Sequence, residues 1–116
     1  MEKEVKVNGH TYRIKPYNHE SQILIDDGSW TTVVLNEKGD TSLQRKVGSY
    51  LSLIIFHSLV SWDVKGKDEK IIPLNYDNFR KFFPPGDRLK LSDEASEINR
   101  LGESEKNLLS GKPAEK

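Results

Sequence analysis

Polar and apolar positions alternate around an Asn-Gly pair near the start of the chain. Asn8 and Gly9 suit a type I′ turn, because both central residues of that turn need a positive φ. A two-residue turn then pairs Val5 with Tyr12 on an apolar face and leaves charged side chains on the other face. The pattern therefore predicts a β-hairpin over residues 4–14.

A second short apolar run, residues 22–25, is followed by an Asp-Gly pair and by the β-branched stretch 30–35. The same turn arithmetic pairs Ile25 with Trp30, which predicts a second hairpin. A helical turn before Asp26 is the alternative interpretation of this segment.

The longest apolar segment lies in the middle of the chain. Residues 47–62 carry no formal charge, and ten of these sixteen residues are apolar or aromatic. Apolar side chains recur at steps of three and four from Leu43 to Val60, which predicts a helix buried on nearly all sides. Thr41 and Gln44 have the spacing of a capping box at its start. A membrane span is not predicted, because about twenty apolar residues are needed and this run contains four serines.

Two shorter helices are predicted after a charged loop at residues 65–70. Asn75 is a good N-cap for a helix over residues 76–83, and Ser92 with the acids that follow it indicates another helix that ends near Gly102. The chain is polar from residue 103 to residue 116.

These elements predict an α+β fold, with N-terminal β-hairpins packed against one long apolar helix and followed by two short helices. We expect one compact domain over residues 1–102 and a disordered polar tail over residues 103–116.

Composition removes several functional classes. The 116 residues are 34% hydrophobic and 31% charged, which suits a small core with a solvated surface. Lys plus Arg and Asp plus Glu number 18 each, so the formal net charge is zero and no global field attracts nucleic acid or anionic lipid. The lack of cysteine excludes a disulfide scaffold, a thiol nucleophile and a thiolate metal site. The charged first four residues lead into a strand pattern, so no secretory signal is expected.

Candidate catalytic side chains are scattered along the chain. His10, His19 and His57 fall on a strand, a loop and a helix, without the close spacing that a metal site needs. No serine sits in a strained turn between glycines, and the acids fit a turn and the first turn of a helix. The residues therefore predict a protein that is not an enzyme and needs no cofactor. A deep polar pocket that gathers carboxylates and histidines would revive the enzyme hypothesis.

A small nucleic-acid-binding protein is a further alternative. The aromatic residues of the segment 76–83 have helical spacing and little basic flanking, so core packing is favoured over a stacking platform for bases. Nucleic-acid binding would need the basic residues to converge on one face. The residues concerned are Arg45, Lys46, Lys65, Lys67, Lys70, Arg80, Lys81, Arg88 and Lys90.

The order of these parts resembles small tail-assembly proteins of siphophages, including tail assembly chaperones. The resemblance covers about residues 4–101. Its carriers are the opening hairpin with its Asn8-Gly9 turn, the apolar helix that ends at Trp62-Asp63, the loop 65–70, the Ile72-Pro73-Leu74 segment with the short helix from Asn75, and the segment 89–101. The β-rich middle at residues 22–35 departs from many such proteins, in which a more helical segment is expected.

This resemblance implies a non-enzymatic morphogenesis factor that binds a tail protein, such as the tape measure protein or a tube subunit, in the cytoplasm of the infected host. A permanent virion component, such as a head-tail joining or minor tail protein, is the alternative within the same class. An apolar helix on so small a chain is either covered internally or offered to a partner. The candidate partner contacts, each of which is alternatively a core residue, are Tyr50, Phe56, Trp62 and Phe79.

Overall fold

A computed structural model describes the backbone of residues 1–109 and the side chains of residues 1–100. This part of the chain has a mixed α+β fold, as predicted, with four α-helices and two small antiparallel sheets. The elements, in chain order, are β1 (Lys3–Val7), β2 (His10–Ile14), α1 (His19–Ser29), β3 (Trp30–Val34), β4 (Thr41–Arg45), α2 (Val47–Ser58), β5 (Leu59–Trp62), α3 (Tyr76–Phe82) and α4 (Arg88–Leu109).

The first hairpin has the predicted turn and register. Val5 lies opposite Tyr12, and the turn residues Asn8 and Gly9 have φ values of 50° and 84°. β5 pairs with the other edge of β2 and gives a three-stranded antiparallel sheet of order β1-β2-β5. The apolar face of this sheet supplies about half of the main core.

The predicted second hairpin over residues 22–35 is wrong, because residues 22–25 belong to α1. Asn18 caps this helix by accepting a hydrogen bond of 2.9 Å from the backbone N–H of Ser21. Ile25 and Ser29, four residues apart, form its buried face, and the Ser29 hydroxyl donates to the Ile25 carbonyl. A helical face thus outweighs the turn signal of the Asp-Gly pair, and β3 pairs with β4 instead.

The long apolar helix is shorter than predicted. Residues 41–45, including the apparent capping box, form strand β4, and Leu43 lies opposite Thr32. The helix α2 covers only Val47–Ser58, after which the chain enters β5. The apolar run continues from β4 through α2 into β5, and short apolar runs do not distinguish a strand from an adjoining helix. The arrangement of two hairpins against one long helix is therefore not what the structure has.

Helix α2 is covered on two sides. Ile55 faces the three-stranded sheet and belongs to a cluster with residues of β1, β2, β5, α3 and α4. Leu53 and Ile54 face the other way and pack with Ile25 of α1 and Ala95 of α4. The central helix therefore joins two hydrophobic clusters into one structural unit.

The C-terminal part confirms α3 and changes the bounds of α4. Asn75 caps α3 by accepting from the backbone N–H of Asn78 at 2.8 Å. Helix α4 begins at Arg88, before the predicted start at Ser92, and its backbone runs past the predicted end at Gly102 to Leu109. Ser92 is buried inside the helix, where its hydroxyl donates to a carbonyl of the same helix. Residues 110–116 of the predicted tail lie outside the described residues.

Asn99 connects three parts of the fold. Its carboxamide oxygen accepts from the backbone N–H of Tyr17 at 2.8 Å. Its amide nitrogen donates to the Ser58 hydroxyl at 3.0 Å and to the Ala95 carbonyl at 2.7 Å. One side chain of α4 therefore holds the end of α2 and the segment that precedes α1.

Strands β3 and β4 form a separate two-stranded ribbon. At the base of the ribbon, the Arg45 guanidinium carbon lies 4.5 Å from the Trp30 ring centroid and 4.0 Å from that of Tyr50. Val34 and Leu43, both 65% exposed, lie on one face of the ribbon. The radius of gyration is 17.0 Å, whereas a compact chain of this length would have a radius of gyration of about 13 Å, so the shape is extended.

Candidate functional site

An open groove of about 970 Å³ runs along α2. Residues of all four helices, and the residue that precedes α2, line it. Lys46 precedes α2, and the helix itself contributes Gly48, Ser49, Ser52, Leu53, Phe56 and His57. The other helices contribute Leu24 and Gly28 from α1, Tyr76 and Arg80 from α3, and Arg88 from α4.

The α2 side of the groove is one helical face. Ser49, Ser52, Leu53 and Phe56 follow steps of three and four, so their side chains lie in one row. Gly28 of α1 lies close to this row, because a Cβ on Gly28 would be 2.6 Å from Cδ1 of Leu53. The missing side chain therefore lets α1 approach α2 and form one wall of the groove.

Aromatic side chains form the groove wall where α2 meets α3. The Phe56 ring meets the Tyr76 ring edge to face, with centroids 5.2 Å apart, and its centroid lies 5.4 Å from that of Phe79. The guanidinium of Arg80 lies over the Tyr76 ring, with 5.7 Å between Cζ and the centroid. Tyr76 remains 44% exposed, so this wall offers an aromatic surface to a ligand.

The groove has a positive charge of its own within a neutral chain. Lys46, Arg80 and Arg88 line it, whereas no carboxylate does. Among the described residues, none of these cations forms an ion pair. Nη2 of Arg88 is 3.2 Å from the position that a Cβ on Gly48 would take, so this guanidinium lies beside the start of α2. Its Nε is buried and has no hydrogen-bond partner within the described part of the chain.

His57 is half-buried at the other end of the α2 face. Burial lowers the pKa of its imidazole below the ordinary value of 6.5, because removal from water disfavours the charged ring. The ring is therefore neutral at pH 7, and the permanent positive charge of the groove comes from the lysine and the two arginines.

The four predicted partner contacts lie in different environments. Phe56 lines the groove, whereas Tyr50 is half-buried against Arg45. Trp62 is 5% exposed and Phe79 is 3% exposed, and both belong to the main core. Of the four, Phe56 is the residue that lines the groove.

The nine basic residues considered for nucleic-acid binding do not converge as a set. Three of them, Lys46, Arg80 and Arg88, line the groove, and the others are not among its lining residues. Tyr76 and Arg80 are one helical turn apart, and this spacing is a sequence signal that both side chains lie on the same face of α3. The approach of Arg88 to α2 had no such signal, because it depends on how α4 packs.

The most buried polar cluster lies elsewhere, below the first hairpin. Asp87 accepts from the Tyr12 hydroxyl at 2.5 Å and from the Asn8 amide at 2.8 Å. Burial raises the pKa of Tyr12 well above its usual range, and the hydrogen bond to Asp87 makes a smaller contribution in the same direction. His10 lies 3.4 Å from Asp63 at the edge of the same region. The cluster joins the hairpin to the residue that precedes α4.

Comparisons with protein-family models, curated proteins and solved structures find no match for this chain. Within residues 1–100, no group of three or more histidines and acids has the arrangement of a metal site. No helix in the described part is long and apolar enough to cross a membrane. The geometry of the groove is therefore the basis for a functional argument.

Proposed function

We propose that the protein is a non-enzymatic bacteriophage morphogenesis factor whose groove binds a segment of a tail protein during assembly. The groove carries this proposal, because it combines exposed apolar side chains with unpaired cations on one concave surface. Its lining holds one histidine and no carboxylate, which is a poor set for general acid-base chemistry and a suitable one for binding.

The dimensions of the groove favour a protein segment over a small molecule. At about 970 Å³ it reaches the upper end of the size of small-molecule pockets, and it is open to solvent. Leu24, Phe56 and Tyr76 together provide apolar and aromatic contacts of the kind on which an amphipathic helix docks. Leu24 is 50% exposed on one wall and Tyr76 is 44% exposed on the other, so both walls can contact such a helix.

The choice of a tape measure protein or tube subunit as partner rests on the resemblance to siphophage tail-assembly proteins. A permanent virion component would use the same surface for a lasting contact. The assembly factor and the virion component therefore differ in whether the contact with the tail protein persists in the virion. Quantitative mass spectrometry of lysate and purified virions separates them. Absence from virions supports an assembly factor, and a fixed copy number in virions supports the structural component.

Co-purification tests the groove directly. The tagged chain is co-expressed with the tape measure protein or the tube subunit of the same phage, and the retained partner is quantified. Leu24→Ser and Tyr76→Ala remove exposed apolar surface from the two walls, so each is expected to lower partner recovery at least severalfold. Leu43→Ser is the matched control, because Leu43 is an exposed leucine on the ribbon and outside the groove. Loss in the control with retention in both groove variants would contradict the proposal.

A further inference from the structure

We infer that the groove selects a partner segment that carries two groups of carboxylates about 12 Å apart, with apolar side chains between them. This inference rests on the proposed function and adds the chemistry of the segment that is bound. It follows from the positions of the cations along α2, since Lys46 and Arg88 lie near the start of the helix and Arg80 lies near its C-terminal half.

One positive end lies at the start of α2. Lys46 precedes the helix, and the Arg88 guanidinium lies beside Gly48. Arg88 is half-buried, and its Nε has neither water-exposed surface nor a hydrogen-bond partner in the described part of the chain. No side chain within residues 1–100 caps α2, so its first backbone N–H groups add positive potential at the same place. A carboxylate here would neutralise two cations at once.

The other positive end lies near the C-terminal half of α2. Arg80 is exposed and is held over the ring of Tyr76, which in turn contacts Phe56. Gly48, beside which the Arg88 guanidinium lies, and Phe56, which contacts the Tyr76 ring, are eight residues apart, which is about 12 Å along the axis of α2 at 1.5 Å per residue. Leu53 and Ser52 lie between them on the groove surface. A helical segment would match this pattern with acids about eight residues apart and apolar residues between them.

Charge complementarity favours an acidic protein segment over nucleic acid. The groove has three cations for its whole length, and the rest of its lining consists of leucine, aromatic, serine, glycine and histidine residues. A nucleic-acid strand carries a phosphate at every nucleotide and needs a continuous basic track. The chain has no net charge to supply such a track.

Fluorescence anisotropy with labelled peptides tests the inference on the full chain. The probe is an amphipathic helix of about 15 residues, with leucines on one face and glutamates in two groups about eight residues apart. Matched peptides replace every glutamate by glutamine or by lysine. We expect the glutamate peptide to bind about tenfold more tightly than the glutamine peptide, because each of the three groove cations would form an exposed pair worth about 0.5 kcal/mol. The difference should shrink between about 0.05 M and about 0.5 M salt.

Variants assign this preference to the groove. Arg80→Gln and Arg88→Gln are each expected to weaken the glutamate peptide about threefold and to leave the glutamine peptide unchanged. Arg80→Glu is expected to shift the preference toward the lysine peptide. Lys67→Gln is the control, since Lys67 is exposed and lies outside the groove. Urea denaturation of each variant identifies any loss of folding.

The outcomes separate this inference from the proposed function. Equal binding of the glutamate and glutamine peptides, with loss of both in Leu24→Ser, overturns the acidic preference and leaves a protein-binding groove. Lack of binding by all three peptides also overturns the acidic preference. Tail-protein recovery that survives Leu24→Ser and Tyr76→Ala overturns the proposed function as well. A single-stranded oligonucleotide that binds more tightly than the glutamate peptide, and loses this binding in Arg80→Gln, would identify nucleic acid as the ligand. That result would overturn the inference of an acidic protein segment.

Discussion

The Tyr12 hydroxyl donates a hydrogen bond of 2.5 Å to the Asp87 carboxylate, across 75 positions of sequence. Tyr12 is fully buried in the first hairpin, and Asp87 is 1% exposed just before α4. Asn8 donates to the other oxygen of the same carboxylate at 2.8 Å. The hairpin and the C-terminal helix are therefore joined at their ends by one charged acceptor.

Replacing Tyr12 by phenylalanine should lower the free energy of unfolding by about 2 kcal/mol, because it removes a hydrogen bond to a charged group and leaves one carboxylate oxygen buried without its partner. The raised pKa of Tyr12 also makes stability fall as pH rises above about 10, since the unfolded chain then releases a proton that the folded chain retains. Urea denaturation at about pH 8 and about pH 11 measures both effects. A Tyr12→Phe variant with the same decline as the parent chain would contradict this assignment.

Substitution of Trp62 by alanine should lower the free energy of unfolding by about 3–5 kcal/mol. Trp62 is 5% exposed, stacks on Phe79 with centroids 6.3 Å apart and donates to the Ile72 carbonyl at 2.7 Å. Trp62→Phe keeps most of the packing and loses the hydrogen bond, so we expect a smaller loss than for alanine. Stability that survives Trp62→Ala while partner binding disappears would instead make Trp62 a contact residue.

The β3–β4 ribbon should exchange its amide hydrogens faster than the three-stranded sheet, because a two-stranded ribbon with few buried side chains opens locally at low free energy. Arg45→Ala removes the cation that lies between the rings of Trp30 and Tyr50, so it should speed exchange in the ribbon. Exchange in β1 and β2 serves as the internal control. Equal exchange rates in the ribbon and the sheet, in the parent chain, would refute this account of the attachment.

Acid should destabilise the fold in two separate pH windows. The lowered pKa of His57 means that the unfolded chain binds its proton first, so stability falls as pH drops through about 6.5. The hydrogen bond from Lys3, with a smaller contribution from Lys90, lowers the pKa of Glu94 below its ordinary value of 4.5. The folded chain therefore loses this stabilisation as pH falls below about 4.5. His57→Gln should remove the upper phase, and Lys3→Ala should reduce the lower one. Chemical denaturation across pH 3 to 8 measures both.

The sequence predicted those elements whose signals are local. The Asn8-Gly9 turn determines its own hairpin, and Asn75 with its apolar neighbours determines α3. These segments needed no information about the rest of the chain, because their turn and cap geometry is contained within a few residues.

The errors arose where tertiary contacts decide between competing local patterns. Residues 22–25 suit a strand, but Ile25 and Ser29 are buried as one helical face against α2. Leu43 fits the helical spacing, but it lies opposite Thr32 in the ribbon. The groove was only partly predictable for the same reason. Phe56 was selected from the sequence, whereas the approach of Arg88 to Gly48 depends on the packing of α4.

The three hydrogen bonds of Asn99 fix how far a truncated version of the protein must extend. A fragment that ended before residue 98 would lose the packing of Ile98 and would leave the Tyr17 amide and the Ser58 hydroxyl without their present partner. The N-terminal segment, the central helix and α4 therefore depend on one shared side chain. A shorter fragment that kept the hairpin and α2 would contain both partners of Asn99 and lack the residue that holds them together.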